Sequence, residues 1–260
     1  MPLAAAPRCG HPSPRRALAS LLLLAGATSA AMYPPLASSA YSGTSGASDL
    51  CSHRLQSLYD FGPSAGDAAM DRGDDNVLSV PLPITFFGGN YTQVYISTNG
   101  MVSAGGYPPR PNAPTLSAYV ALPFPTSDNY PIIAPFWADV DTSGIAPSLP
   151  SGYPEGSRVY YRVGVTRSGD VSRLTRDVAQ AFPGELTFAP VSAIVVTWFA
   201  VGRYVVQAAS VRNDLLNTFQ VVIASDALGR SFATICLDNL VWDRGEAFSV
   251  SGSYANGTLW

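Results

Sequence analysis

The chain has 260 residues, of which 47% are hydrophobic and only 13% are charged, with 23 glycines and 22 prolines. This composition supplies enough apolar side chains for a buried core and favours a loop-rich β protein. All fifteen basic residues are arginine, which excludes Schiff-base lysines, lysine general bases and the lysine of Walker-type phosphate loops. The net charge of −3 and the lack of a basic patch make nucleic acid and anionic membranes poor partners.

The N-terminal segment has the parts of a secretory signal peptide. Three arginines precede the apolar run 17–27, and small residues at 28–31 provide a cleavage site. We therefore predict a signal peptide over residues 1–30 and a secreted protein, since the run is too short to span a bilayer and no later stretch replaces it. Residues 31–50, rich in Ala, Ser, Gly and Pro, are predicted to form a flexible low-complexity leader.

Two cysteines remain once Cys9 leaves with the signal peptide. In the oxidising environment of a secreted protein, Cys51 and Cys236 can form a disulfide between the N-terminal flank and a late strand. Cys236 also lies in an apolar strand pattern, so a buried free thiol is the alternative. Both interpretations stay open, because disulfide geometry cannot be judged from sequence.

Short apolar runs and alternation predict the first strands. Residues 76–80 and 84–87 are predicted as two strands, because the two prolines between them favour an edge or a break. Alternation at 94–97, followed by Asn99-Gly100, predicts a tight hairpin. Residues 105–131 hold many prolines and little periodicity, and we predict a long surface loop there.

The second half of the chain reads in the same way. A proline-rich connection is predicted at 146–154, and apolar residues at helical spacing predict one short helix at 171–181, with Ser168 or Asp170 as its cap. Further strands are predicted at 159–165, 193–201, 204–208, 218–224, 232–237 and 240–242, with a turn at 226–229. The fold class is therefore mainly β: an antiparallel β-sandwich or partly closed barrel with one short helix and long proline-rich loops.

Two carboxylates follow a pair of aromatic residues in the middle of the chain. If residues 133–137 form a strand, Asp139 and Asp141 emerge together on one side of its end. They can bind calcium, together with Thr142 and backbone carbonyls. The other two interpretations are that they act as the acid and base of a glycosidase, or that they accept backbone N–H groups and close a turn. We expect no required cofactor, and calcium is the cation that Asp139 and Asp141 could bind.

Catalysis by a nucleophile and a histidine is nearly excluded by counting. His11 leaves with the signal peptide, so His53 is the only histidine left to activate a Ser or Cys. Zinc sites built on His and Cys fail for the same reason. Carboxylates are therefore the remaining reactive class.

Three short motifs bear on an extracellular role. Arg72-Gly73-Asp74 spells the tripeptide that integrins read on an exposed loop, although matches of three residues often arise by chance. Asn90 and Asn256 each begin a sequon for N-glycosylation, and both fall where turns are expected. Because a signal peptide is predicted, we predict glycans at both asparagines.

The segment Ala134 to Thr142, with the sequence APFWADVDT, resembles the signature of the nidogen-like extracellular domain family, known from nidogens and tectorins. Further blocks follow the order of that family. They are Leu58 to Pro63, Gly66-Asp67, Phe86 to Gly88, Arg158 to Arg162, Val195 to Trp198, Asn217 to Val222, Ser231 to Ala233 and Trp242. The resemblance implies a nidogen-like domain over residues 51–260.

The resemblance also implies a non-enzymatic module, secreted into the extracellular matrix, for cell–matrix adhesion or matrix assembly. Its partners would be matrix or cell-surface proteins. The alternative is a secreted carbohydrate-binding or glycoside-hydrolysing protein centred on Asp139 and Asp141. Six aromatics would form a sugar-stacking platform in the alternative, whereas such residues more often fill a sandwich core. They are Phe136, Trp137, Trp198, Phe219, Phe232 and Trp242.

Overall fold

A computed structural model describes residues 21–25, 58–106, 119, 131–143, 157–164, 167–204 and 215–242, and for 21–25 it describes the backbone alone. These residues form eleven strands, one α-helix and a single 3-10 turn at Pro63–Ala65. The strands are β1 (Leu21–Ala25), β2 (Ala68–Ala69), β3 (Val77–Phe86), β4 (Gly89–Ser97), β5 (Met101–Ala104), β6 (Ile132–Ile133), β7 (Val140–Asp141), β8 (Arg158–Val163), β9 (Pro190–Arg203), β10 (Asn217–Asp226) and β11 (Ser231–Asn239). The helix is α1 (Ser168–Ala181).

The strands form two antiparallel sheets. The large sheet has the order β1-β11-β10-β9-β8-β2, with β7 also paired to β9, and the small sheet has the order β3-β4-β5-β6. Neither order returns to its first strand, so the described sheets are open. The predicted fold class is confirmed as a sandwich rather than a barrel.

The main core lies between the two sheets. Alternate residues of β3, such as Leu82 and Ile84, face Val221 and Ile223 of β10 in one cluster of buried side chains. Trp198 of β9 stacks on Phe219 of β10 and donates its indole N–H to the carbonyl oxygens at the end of β4. A buried indole N–H needs such acceptors, and here they lie in the opposite sheet.

Helix α1 covers the other face of the large sheet. Leu174 and Val178 of α1 pack with Val195 of β9 and Val222 of β10 in a second buried cluster. Every residue of β10 is therefore buried, because the strand is covered on both faces. The molecule has three layers: the small sheet, the large sheet and α1.

The predicted helix is confirmed, but it begins at Ser168 and its predicted caps are wrong. The N-cap is Arg167, which makes no side-chain capping hydrogen bond. Asp170 lies in the first turn, where its charge suits the positive end of the helix dipole, and its carboxylate binds Arg162. Helix α1, the one α-helix among the described residues, is neither long nor apolar enough to cross a membrane.

Two predicted strands at 76–80 and 84–87 form the single strand β3. The register between β3 and β4 shifts between Pro81 and Ile84, so both prolines lie at this irregularity. Proline is tolerated there because β3 is the edge of the small sheet and needs only one neighbour.

Residues 240–242 are not a strand, which corrects another prediction. The side chain of Asn217 accepts hydrogen bonds from the backbone N–H groups of Val241 and Trp242, at 2.8 and 3.2 Å. It also donates to the carbonyl oxygen of Trp242 at 2.9 Å. One side chain thus satisfies the backbone groups that a neighbouring strand would satisfy.

The remaining differences concern shorter stretches. Strand β9 ends at Arg203, so Tyr204 is not in a strand, and the rest of the predicted strand 204–208 lies outside the described residues. Most of the predicted loop 105–131 and the connection 146–154 lie outside them as well.

Candidate functional site

The segment that carries the predicted carboxylates is held by the β4–β5 hairpin. The predicted strand at 133–137 is wrong: β6 ends at Ile133, and the chain then bends. Gly100, at φ 86°, lies so close to the carbonyl oxygen of Phe136 that any Cβ there would overlap it. The predicted hairpin at Asn99-Gly100 is confirmed, and its glycine is required by this close approach.

Asn99 fixes the position of Asp139 through the backbone on either side of it. The carbonyl oxygen of Asn99 accepts from Ala138 N at 3.2 Å, and its side-chain oxygen accepts from Val140 N at 2.9 Å. The Asn99 amide in turn donates to the Asp75 carboxylate at 2.7 Å. One buried amide therefore joins the segment around Asp139 to the segment that precedes β3.

These contacts bring three carboxylates together. Asp74, Asp75 and Asp139 each have an oxygen within 4.8 Å of the others, and we call this group the acidic cluster. Asp139 is 2% exposed, whereas Asp74 and Asp75 are partly exposed. The same Asp75 oxygen that binds Asn99 also accepts the backbone N–H of Tyr119 at 2.6 Å.

Asp141 has a different environment from Asp139. It is 8% exposed, and its Oδ1 accepts the backbone N–H of Ser143 at 2.7 Å, which is a turn-closing contact. The two predicted carboxylates do not leave a strand end side by side, because strand β7 begins only at Val140. The backbone of Asp74 pairs with that of Asp141 through an isolated antiparallel β-bridge, while the Asp74 carboxyl lies near that of Asp139.

Asp74 is a member of the acidic cluster whose pKa is raised. Burial, and then the neighbouring charges of Asp75 and Asp141, together raise the pKa of Asp74 to about 7. Its Oδ1 is buried and accepts no hydrogen bond from the described residues. A carboxyl in this position can hold a proton near neutral pH or offer an oxygen to a hard cation.

Sequence reasoning found Asp139 and missed its partners. Asp74 and Asp75 precede β3, far from Asp139 in the chain, and the bridge to β7 and the Asn99 side chain bring the two segments together. The available signal was the Asp-Asp doublet just before a strand, which by itself also fits a turn.

The tripeptide Arg72-Gly73-Asp74 is fastened to the residue after β7. Gly73 N donates to Thr142 Oγ1 at 3.0 Å, and Gly73 O accepts from Thr142 N at 3.1 Å. Arg72 is exposed, but the Asp74 carboxyl is partly buried against the acidic cluster. Integrin recognition stays a prediction. The carboxylate that an integrin would bind, that of Asp74, is packed beside Asp75 and Asp139.

The other predicted site residues are scattered. Asn90 is exposed at the start of β4, while Asn256 and Cys51 lie outside the described residues. Cys236 is buried and forms no disulfide with another described residue, and burial raises its pKa to about 11. Glycosylation and the pairing of Cys51 with Cys236 stay predictions.

The six aromatics of the sequence analysis fill the interior. Each is at most 5% exposed, so none belongs to an exposed stacking surface. Phe136 packs against the rings of Phe219 and Trp242, at centroid distances of 5.4 and 5.2 Å.

The fold and the site together define an open two-sheet β-sandwich with a helix on one face and a carboxylate cluster beside a short strand. A sequence profile of the family described as "Nidogen-like domain" matches residues 92–257. The chain belongs to this family. Strands β2 and β3 precede the matched region but pair within the same two sheets, so the folded unit extends at least to Ala68.

The curated proteins that resemble the chain include nidogens and alpha-tectorins. Mouse nidogen-2 is 34% identical over 178 residues, which is 66% of this chain and 11% of that protein. Drosophila melanogaster nidogen is 31% identical over 76% of this chain and 13% of its own length, and human alpha-tectorin is 29% identical over 68% and 7%. The chain therefore spans only a small part of the curated relatives it matches. No solved structure matches the chain significantly.

Proposed function

We propose that this chain is an extracellular, matrix-associated module that acts in cell–matrix adhesion or matrix assembly by binding proteins, without catalysis. Membership of the nidogen-like family over residues 92–257, with nidogens and alpha-tectorin as relatives, is the observation that carries the proposal. The proposed partners are matrix or cell-surface proteins, and the proposed location is the extracellular matrix.

The chemistry of the available side chains supports binding over nucleophilic catalysis. Cys236, the cysteine within the described part of the chain, is buried, and burial raises its pKa to about 11. A buried thiol with a raised pKa is a poor nucleophile, since the thiolate is the reactive form.

The alternative function, a carbohydrate-binding or glycoside-hydrolysing protein centred on Asp139 and Asp141, has less support. Glycosidases use two carboxyl groups that reach a sugar from either side of an accessible cleft. Asp139 and Asp141 are buried, and Asp141 Oδ1 is engaged by Ser143 N. The aromatic residues that would stack on a sugar are buried as well.

A binding assay on the secreted protein tests the proposal. The full chain is expressed with its own N-terminus in animal cells, purified from the medium and immobilised. We expect saturable binding of solubilised matrix proteins or saturable cell attachment, lost when the domain is unfolded. Binding no greater than that of an unrelated secreted β-sandwich of similar charge would contradict the proposal.

The same assay separates integrin recognition from other contacts. Arg72→Ala removes an exposed side chain of the tripeptide, and Arg176→Ala, on the exposed face of α1, is the matched control. Loss of attachment in Arg72→Ala alone would assign it to the tripeptide. Equal attachment by both variants would assign it to another surface.

A further inference from the structure

The edges of the two sheets differ in how they are protected from pairing with another chain. Exposed edges are usually blunted by short length, proline, bulges or charge. Strands β2 and β6 are each two residues long, and β3 carries Pro81, Pro83 and a register shift. These three edges offer little continuous backbone to an added strand.

Residues 231–237 of β11 have none of these protections, because the charge of Asp238 and the register shift with β10 lie beyond them at the end of the strand. Residues 231–237, with the sequence SFATICL, contain no charge and no proline. On one side β11 pairs with β10, and on the other it pairs antiparallel with β1, with Leu21 opposite Ile235 and Ala25 opposite Ser231. Strand β1 is the only strand on that side within the part of the chain that the structure describes.

Strand β1 lies inside the predicted signal peptide, residues 1–30. Its removal takes away the strand that pairs with the outward backbone N–H and C=O groups of residues 232–235. Strand β11 cannot turn away to hide them. Phe232 belongs to the core under α1, while Ala233 and Ile235 belong to the core between the sheets.

The geometry points to the edge of β11 as a binding site in the processed protein for an extended, uncharged aliphatic segment of a partner protein. That segment pairs antiparallel with residues 231–235, as β1 does. The inference rests on the proposed protein-binding function and on the predicted removal of residues 1–30.

The chemistry of the occupant follows from what is seated there. Strand β1 has the sequence LLLLA, which is neutral and aliphatic. Residues 231–237 are also uncharged, so they offer no opposite charge to a charged strand. In strand addition, main-chain hydrogen bonds provide most of the affinity and side chains select among sequences. A charged or proline-containing strand therefore fits this edge poorly.

Hydrogen exchange on the secreted full chain tests the site. Mass spectrometry first locates its N-terminus. The probe is a synthetic peptide of residues 19–27 with an acidic tail for solubility, and the control peptide carries Leu23→Pro. We expect the probe to slow exchange in residues 231–235 by at least about tenfold, with no change in β4 and no effect of the control peptide.

Four results would overturn the inference. They are a secreted protein that still contains residues 21–25, no protection by the probe, equal protection by the proline peptide, and protection already present without peptide in a protein that is dimeric by light scattering. The last result would make a second copy the occupant. Matrix binding that persists without protection of β11 would refute the edge site and leave the proposed function intact. Protection of β11 in a protein that binds no matrix component would refute the proposed function instead.

Discussion

Among the described carboxyl groups with a raised pKa, Asp74 is one whose ionised form the folded structure destabilises. Its folded pKa of about 7, raised first by burial and then by Asp75 and Asp141, exceeds the value of about 3.9 for an unfolded aspartate. The ionised carboxyl is therefore less favourable in the folded state than in the unfolded chain. Its unfavourable contribution is fully present above pH 7, and it is relieved as the pH falls from about 7 to about 4.

We predict that Asp74→Asn stabilises the protein at pH 8 in the absence of divalent cations. Asparagine keeps the shape of the side chain and removes the charge. The thermal midpoint of the variant should exceed that of the parent at pH 8, and the difference should shrink steadily towards pH 4. Asp71→Asn, which changes an exposed carboxylate nearby, is the matched control and should show no such trend. A lower midpoint for Asp74→Asn at pH 8 would contradict the prediction.

At the scale of elements, Arg162 joins the N-terminal segment, the large sheet and the helix. From β8 its guanidinium donates to the carboxylate of Asp67 and the carbonyl oxygen of Asp60, both at 2.7 Å. It also binds Asp170 of α1 at 2.8 Å. The Arg162 and Asp67 side chains are 7% and 0% exposed, so water does not replace these partners.

Replacing Arg162 with glutamine should destabilise the fold by about 3 kcal/mol, because the change leaves buried carboxylates without their cation. Arg167→Gln is the matched control. Arg167 pairs with Asp60 at 3.1 Å in an exposed geometry, and such pairs contribute no more than about 1 kcal/mol. Denaturant unfolding of both variants measures the difference. Equal losses would mean that the buried network contributes no more than a surface pair.

An element can be predicted from the sequence when the residues that determine it are close together in the chain. Strands β9 and β10 and helix α1 were predictable because their apolar patterns lie in consecutive residues. The hydrogen bonds between the Asn217 side chain and the Trp242 backbone were not predictable, because a side chain that is distant in the chain takes the place of a neighbouring strand. The acidic cluster was only partly predictable: Asp139 lies in a recognisable motif, whereas Asp74 is brought beside it by contacts between segments that are distant in the chain.

At the scale of the whole molecule, the calcium hypothesis stays a prediction. The structure sets Asp74 and Asp75, rather than Asp141, beside Asp139. Calcium would draw on these carboxylate oxygens, which belong to segments on either side of β3 to β6. A bound cation would therefore hold together parts of the sandwich that are far apart in the chain.

Thermal unfolding with calcium and with a chelator checks this hypothesis. If calcium binds only the folded state, the free energy of unfolding rises by about 2.7 kcal/mol at one hundred times the dissociation constant. The double variant Asp139→Asn/Asp141→Asn should lose that response, while Asp71→Asn should keep it. An unchanged midpoint for the parent in both buffers would leave these aspartates as turn-closing residues.

The order of the strands along the chain has a consequence for biosynthesis. Gln220 binds the backbone of Tyr59 across 161 residues, and Trp198 reaches Ser97 across 101. The ribosome therefore completes β3 to β6 well before it makes β9 to β11, which cover their apolar face. Folds dominated by such distant contacts form slowly, and the segments made first expose apolar surface until the later strands are synthesised. The nascent domain must be kept from aggregating until almost all of its described residues have emerged.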